Sequence, residues 1–116
     1  MRRVAGVRMM AAALVLAMGA PGIEAQAQVK VTVQDLFKSN HQIAVATGTE
    51  IVWADPHFDR VWFPAGSGAP RVQRGPEGFH AVFTGPGTYH GAFTVVIGHG
   101  TNEIYQMTVT VKEVTK

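Results

Sequence analysis

Residues 89–97, YHGAFTVVI, and 104–111, IYQMTVTV, each set apolar or aromatic residues at every second position. Period two is the side-chain repeat of a β-strand. Tyr89, Gly91, Phe93, Val95 and Ile97 fall on one side of the first run, and His90, Ala92, Thr94 and Val96 on the other. Tyr105, Met107, Val109 and Val111 alternate likewise with Gln106, Thr108, Thr110 and Lys112. The intervening Gly98-His99-Gly100-Thr101-Asn102 is a turn, so the two runs form one long antiparallel pair with an apolar face and a Thr-rich face. A pair of this kind must cover its apolar face with a second layer of strands. The rest of the chain supplies them in short runs: Val29–Val33, Gln42–Ala46, Glu50–Trp53, Arg60–Phe63, Phe79–Phe83 and an edge candidate at Arg71–Gln73. A single helical turn is expected near Asp35–Lys38, and no longer helical period is present. The expected fold is all-β, an antiparallel two-sheet Greek-key β-sandwich occupying residues 28–116 as one domain.

The first 27 residues stand apart from this pattern. Arg2, Arg3 and Arg8 precede the apolar run Met9–Ala20, and Ala25-Gln26-Ala27 has the small-x-small form of a cleavage site. This is the pattern of a secretory signal peptide, so a periplasmic or secreted location is expected, with no membrane span once the leader is removed. The chain carries 10 basic and 8 acidic residues. Three of the arginines and Glu24 belong to the leader, which leaves the remainder balanced and gives no basic surface for nucleic acid. The absence of cysteine excludes disulfides, thiol catalysis and thiolate metal sites. A well-paired sheet or a bound ligand must then supply the stability that small exported domains often take from disulfides.

Phe83-Thr-Gly-Pro86-Gly87-Thr-Tyr89, the strand after it, the Gly-rich turn and Met107-Thr-Val-Thr-Val111 resemble the closing hairpin of PKD-type and related immunoglobulin-like domains. The resemblance spans about the last third of residues 28–116. It implies that Tyr89 is a corner tyrosine whose hydroxyl ties the crossing between sheets. The family's aromatic-Asp-Phe-Gly-Asp-Gly turn is missing upstream, where Trp53-Ala-Asp55-Pro-His57-Phe-Asp59 stands instead. A second likeness is to cupredoxins. Gly48–Asp55 is similar to their Trp-containing entry strand, and Phe83–Tyr89 to the approach to their copper loop. That likeness implies a histidine where Asp59 or His57 stands, and a cysteine near Phe93 that this chain lacks. Blue copper requires the thiolate, so the copper alternative needs a sulfur-free site.

Sandwich topology supplies candidates for one. Chain direction places His41, His57 and His99 at a common pole, with Asp55, Asp59 and Glu103 near them. His90 lies nine residues before His99, about 30 Å along a strand, and cannot join them. Such a His and carboxylate set would suit Cu(II) or Zn(II). Equally, the histidines are ordinary solvated loop residues and the two aspartates cap turn amides. Trp53 ends an apolar strand and is assigned to the core. Trp62 must point away from Val61 and Phe63, so it is a candidate binding surface for a protein or glycan, unless the 64–78 loop covers it. Arg71 and Arg74 are the expected solvated edge, which discourages strand addition. Ser67 lacks the strand-to-helix context of a nucleophile. His80 and Glu77 are an acid and a base without an evident cleft. The sequence therefore points to an exported, non-catalytic binding module without a cofactor, with a cupredoxin-like copper protein as the alternative.

Overall fold

The computed structural model describes residues 28–114; the leader expected over residues 1–27 lies outside them. Two four-stranded sheets pack face to face. Sheet I contains β1 (Gln28–Val31), β3 (Thr49–Trp53), β6 (Gly78–Phe83) and β5 (Gln73–Gly75), in that spatial order. Sheet II contains β2 (Gln42–Ala46), β8 (Thr101–Lys112), β7 (Gly87–Gly98) and β4 (Phe58–Trp62). The all-β sandwich is as the alternation required. The sheets are mixed, however, and not purely antiparallel: β1 runs parallel to β3, and β2 parallel to β8.

The parallel edges follow from what happens after β1. The run expected to continue as strand to Val33 stops at Val31, because Thr32 caps a helix, α1 (Val33–Lys38). Thr32 Oγ1 accepts from the Asp35 amide at 3.1 Å, and the Asp35 carboxylate accepts from the Thr32 amide at 2.9 Å. These reciprocal bonds form a capping box, which satisfies two amides that the first turn leaves free. Leu36 anchors the helix with no exposed surface. Its far end closes when the His41 amide donates to the Leu36 carbonyl at 2.6 Å. Asn40 (φ 60°) and His41 (φ 63°) take the left-handed conformation that this helix ending requires. The helix thus carries the chain from the edge of sheet I to the edge of sheet II, and no hairpin forms between β1 and β2.

The core lies in the seam between the sheets. Trp53 and Phe93 are fully buried, and both belong to chains of tilted or edge-on aromatic contacts. Trp53, Phe63, Phe83 and Tyr89 follow one another with ring centroids 5.5–6.3 Å apart. Phe58, Phe93, His41, Tyr105 and Phe37 form a second chain. The Trp53 indole nitrogen has no hydrogen-bond partner among the described residues, so its burial offsets the cost of one unmade bond. The Tyr89 hydroxyl donates to the Gly85 carbonyl at 2.7 Å, which pins the crossing from β6 to β7. Gly91 lies directly beneath Phe63. A Cβ there would stand 2.6 Å from the ring and 2.7 Å from the Trp62 carbonyl oxygen.

Ile97 departs from the alternation. It shares the phase of buried Val95 yet is 51 % exposed. The last pair between β7 and β4 is Val95 with Phe58, and β2 joins β8 only from Thr108 onward. The hairpin therefore runs past both neighbouring strands and loses its opposing layer. Among the described residues no helix is long and apolar enough to cross a membrane.

Two substitutions test this packing by urea unfolding. Tyr89→Phe removes one hydrogen bond and is expected to cost about 1 kcal/mol. Gly91→Ala forces Phe63 or the Trp62 backbone to move and is expected to cost about 1–3 kcal/mol.

Candidate functional site

The outer face of sheet II gathers the most distinctive exposed side chains. Alternation turns Val61 inward, 4 % exposed, and Phe63 into the aromatic seam. Trp62 is left on the outside, half-buried, beside Ala92. The group lying over its indole is Arg60, whose guanidinium carbon is 4.6 Å from the ring centroid. This cation–π stack shields one face of the ring and presents a charge with it. Register extends the surface across the sheet: Ala92 pairs with Gln106, and Thr94 with both Arg60 and Ile104. Ile104 is 68 % exposed, and Val96, two residues beyond Thr94, is also exposed. Trp62, Arg60, Ile104 and Val96 therefore occupy one continuous outer face that ends on the overhanging hairpin. The Asp59 carboxylate accepts from the Asn102 side-chain amide at 3.2 Å, linking the start of β4 to the hairpin.

The edge of that hairpin is also open. The Thr108 amide donates sideways to the His41 carbonyl at 2.9 Å. Backbone groups alternate in direction along a strand, so those of Asn102, Ile104 and Gln106 point toward the same side. Among the described residues no strand lies there, because β2 begins at the level of Thr108. All three residues are exposed. Tyr105 faces inward, and its hydroxyl donates to the Glu103 carboxylate. That bond, with the neighbouring negative charge, raises the phenol above its ordinary value.

The three candidate histidines stand apart. Among the described residues, no group of three or more His, Cys, Asp or Glu side chains is placed to hold a metal ion. His41 belongs to the helix ending and packs among Phe37, Phe93 and Tyr105. His57 lies level with Val96, whose amide donates to its carbonyl at 2.9 Å. His99 occupies the hairpin turn with a left-handed φ of 54°. The ladder from Tyr105, which His41 packs against, to the turn that holds His99 spans four residues, about 13 Å at ~3.3 Å per residue.

Asp55 has a structural task. Its carboxylate accepts from the amides of Val33 at 3.0 Å and His57 at 2.9 Å, and meets the His57 imidazole at 2.8 Å. It thereby fastens the β3–β4 turn to the start of α1. His80 and Glu77, considered together as acid and base, have different partners: His80 meets Glu50 at 3.0 Å, and Glu77 meets Lys30 at 2.9 Å. Glu50 was not distinguishable in the sequence, because its pairing with His80 depends on the β3–β6 register. Arg74 lies over Phe79 on the edge strand β5, 4.7 Å from the ring centroid.

Burial raises the Asp55 carboxyl, but the hydrogen bonds from His57 and Val33 outweigh it and hold the group below its ordinary value. A depressed native pKa contributes stability that is complete above the unfolded value and disappears as pH falls through the native one. Asp55→Ala is expected to cost about 2 kcal/mol at neutral pH. Urea titrations across pH should show the gap from wild type narrowing below about pH 4.

No family model, curated protein or solved structure matches this chain.

Proposed function

We propose that this is an exported, non-catalytic binding module that holds a protein partner on the outer face of sheet II and the open edge of β8. The observation that carries the reading is the overhang. Asn102, Ile104 and Gln106 carry outward backbone donors and acceptors on an edge that no strand covers among the described residues, and Ile104 is 68 % exposed. An uncovered edge of this kind is a template for an added strand, with main-chain bonds giving affinity and neighbouring side chains giving specificity. Two edge strands, β4 and β5, carry protection that this one lacks. On β4 there are Asp59, Arg60 and a register shift, while β5 is only three residues long and bears Arg74. Trp62 with Arg60 extends the contact area beside the edge and supplies the residue types that most often anchor protein interfaces. The leader expected at residues 1–27 makes a periplasmic or secreted setting part of the same proposal.

Site-specific photo-crosslinking in the producing cells tests this. A photoreactive residue at position 104 or 62 should yield one discrete protein adduct, whereas position 82, exposed on the opposite sheet, should not. Ile104→Lys should reduce the adduct formed from position 62 by about tenfold or more. Absence of an adduct from 104 and 62, or the same adducts from 82, would refute the assignment.

A further inference from the structure

On the opposite side of the molecule, the outer face of sheet I carries a second feature that the protein-binding reading does not use. The β5–β6 turn folds over the sheet and encloses a groove of about 400 Å³, lined by Gln28, Glu50, Val52, Glu77, Phe79 and His80 together with Gly75, Pro76 and Gly78. The volume lies in the range of small-molecule sites, about 300–1,000 Å³. Cross-strand register produces the walls. Gln28 stands opposite Glu50, and Lys30 opposite Val52, which in turn stands opposite His80. Lys30 on β1 reaches Glu77 in the turn at 2.9 Å, so this ion pair bridges the width of β3. Val52, 5 % exposed, is the apolar floor; Phe79 borders the groove, but it pairs with Trp53 and turns its ring into the core.

The polar atoms of this groove are held in place by one another. Glu50 accepts from the Gln28 side-chain amide at 2.9 Å through one oxygen and meets His80 Nδ1 at 3.0 Å through the other. The bond from Gln28 contributes most to holding the Glu50 carboxyl below its ordinary range; burial opposes it, and His80 assists. In the neutral imidazole tautomer whose Nδ1 donates to the carboxylate, His80 Nε2 is an acceptor. The ring lies close over Gly75, where a Cβ would stand 3.0 Å from its Cδ2 and 3.3 Å from its Nε2. Any larger residue there would press the imidazole out of position.

We infer that this groove is a second binding site, for a neutral polyhydroxylated ligand of the size of one or two saccharide units. The free hydrogen-bonding positions on its walls are mostly acceptors: the remaining lone pairs of Glu50 and Glu77, the Gln28 carbonyl and His80 Nε2. They call for a ligand rich in hydroxyl donors. The apolar floor matches the C–H face of a sugar ring. Glu77 already has Lys30 as its counter-ion, and Glu50 is held by two donors, so a neutral ligand can bind without displacing a charge partner.

The test is a titration of the exported protein, isotopically labelled and followed by amide NMR. The probes are glucose, galactose, N-acetylglucosamine and their neutral disaccharides, with glucosamine as the ammonium-bearing control. At least one neutral saccharide should give saturable shifts at Gly75, Glu77 and His80. Glu50→Gln and His80→Gln should weaken it by about tenfold or more while keeping native spectra, and Trp62→Ala should titrate like wild type. Gly75→Ala, which displaces the imidazole without removing a polar group, should weaken binding as well. Three results would overturn the inference: no saturable shift with any neutral saccharide, a response to glucosamine alone, or binding unchanged in both polar variants.

Discussion

Edge-on aromatic contact across the seam is the interaction on which the rest of this structure depends. The chain has no cysteine, so no covalent link ties one sheet to the other. Trp53, Phe63, Phe83 and Tyr89 carry contact from one sheet to the other, while Phe58 and Phe93 with His41, Tyr105 and Phe37 tie the strands of sheet II to α1. Large rings bury much apolar area and add directional pairing energy beyond it. Their demand for space explains Gly91, where the strand must present no side chain to Phe63. It also explains the position of His41, which completes the second aromatic chain in place of facing solvent as a ligand.

Sheet II can serve as a contact surface because its two central strands are far longer than their neighbours. β7 and β8 each have twelve residues, against five for β2 and for β4. The excess length leaves the aromatic seam behind, so Ile97 keeps its inward phase but finds no layer opposite. The same excess leaves the edge of β8 without a partner. A single difference in strand length thus produces both the exposed apolar residues and the open backbone groups beside them. Asp55 acts at the base of this region, joining α1 to the β3–β4 turn and so fixing where β4 begins.

Sheet I has a different character because its neighbouring strands are close in length and its outer face is crossed by polar pairs. Gln28–Glu50, Glu50–His80 and Lys30–Glu77 each join residues far apart in sequence. None of these groups is deeply buried, so each pair contributes modestly to stability. Their effect is instead to orient acceptors around a shared concavity. The two faces therefore differ physically: one is broad and ends on an open strand edge, and the other is concave and polar.

The sequence by itself determined the strands, their inward residues and the layered all-β class, because period-two alternation and turn chemistry are local properties. It also identified Tyr89 as a hydroxyl tying a corner, and Trp62 as the residue turned away from Val61 and Phe63. It did not show the capping box converting the end of the first strand into α1, although Thr32 and Asp35 have the required spacing. Only the tertiary structure decided which strands are neighbours, and hence that His80 meets Glu50 and not Glu77. It alone decided the level at which His41, His57 and His99 lie, since β7 and β8 overrun the adjoining strands. Pairing partners and overhang are set by packing between distant segments, and a one-dimensional pattern carries the phase of each strand but not its register against another.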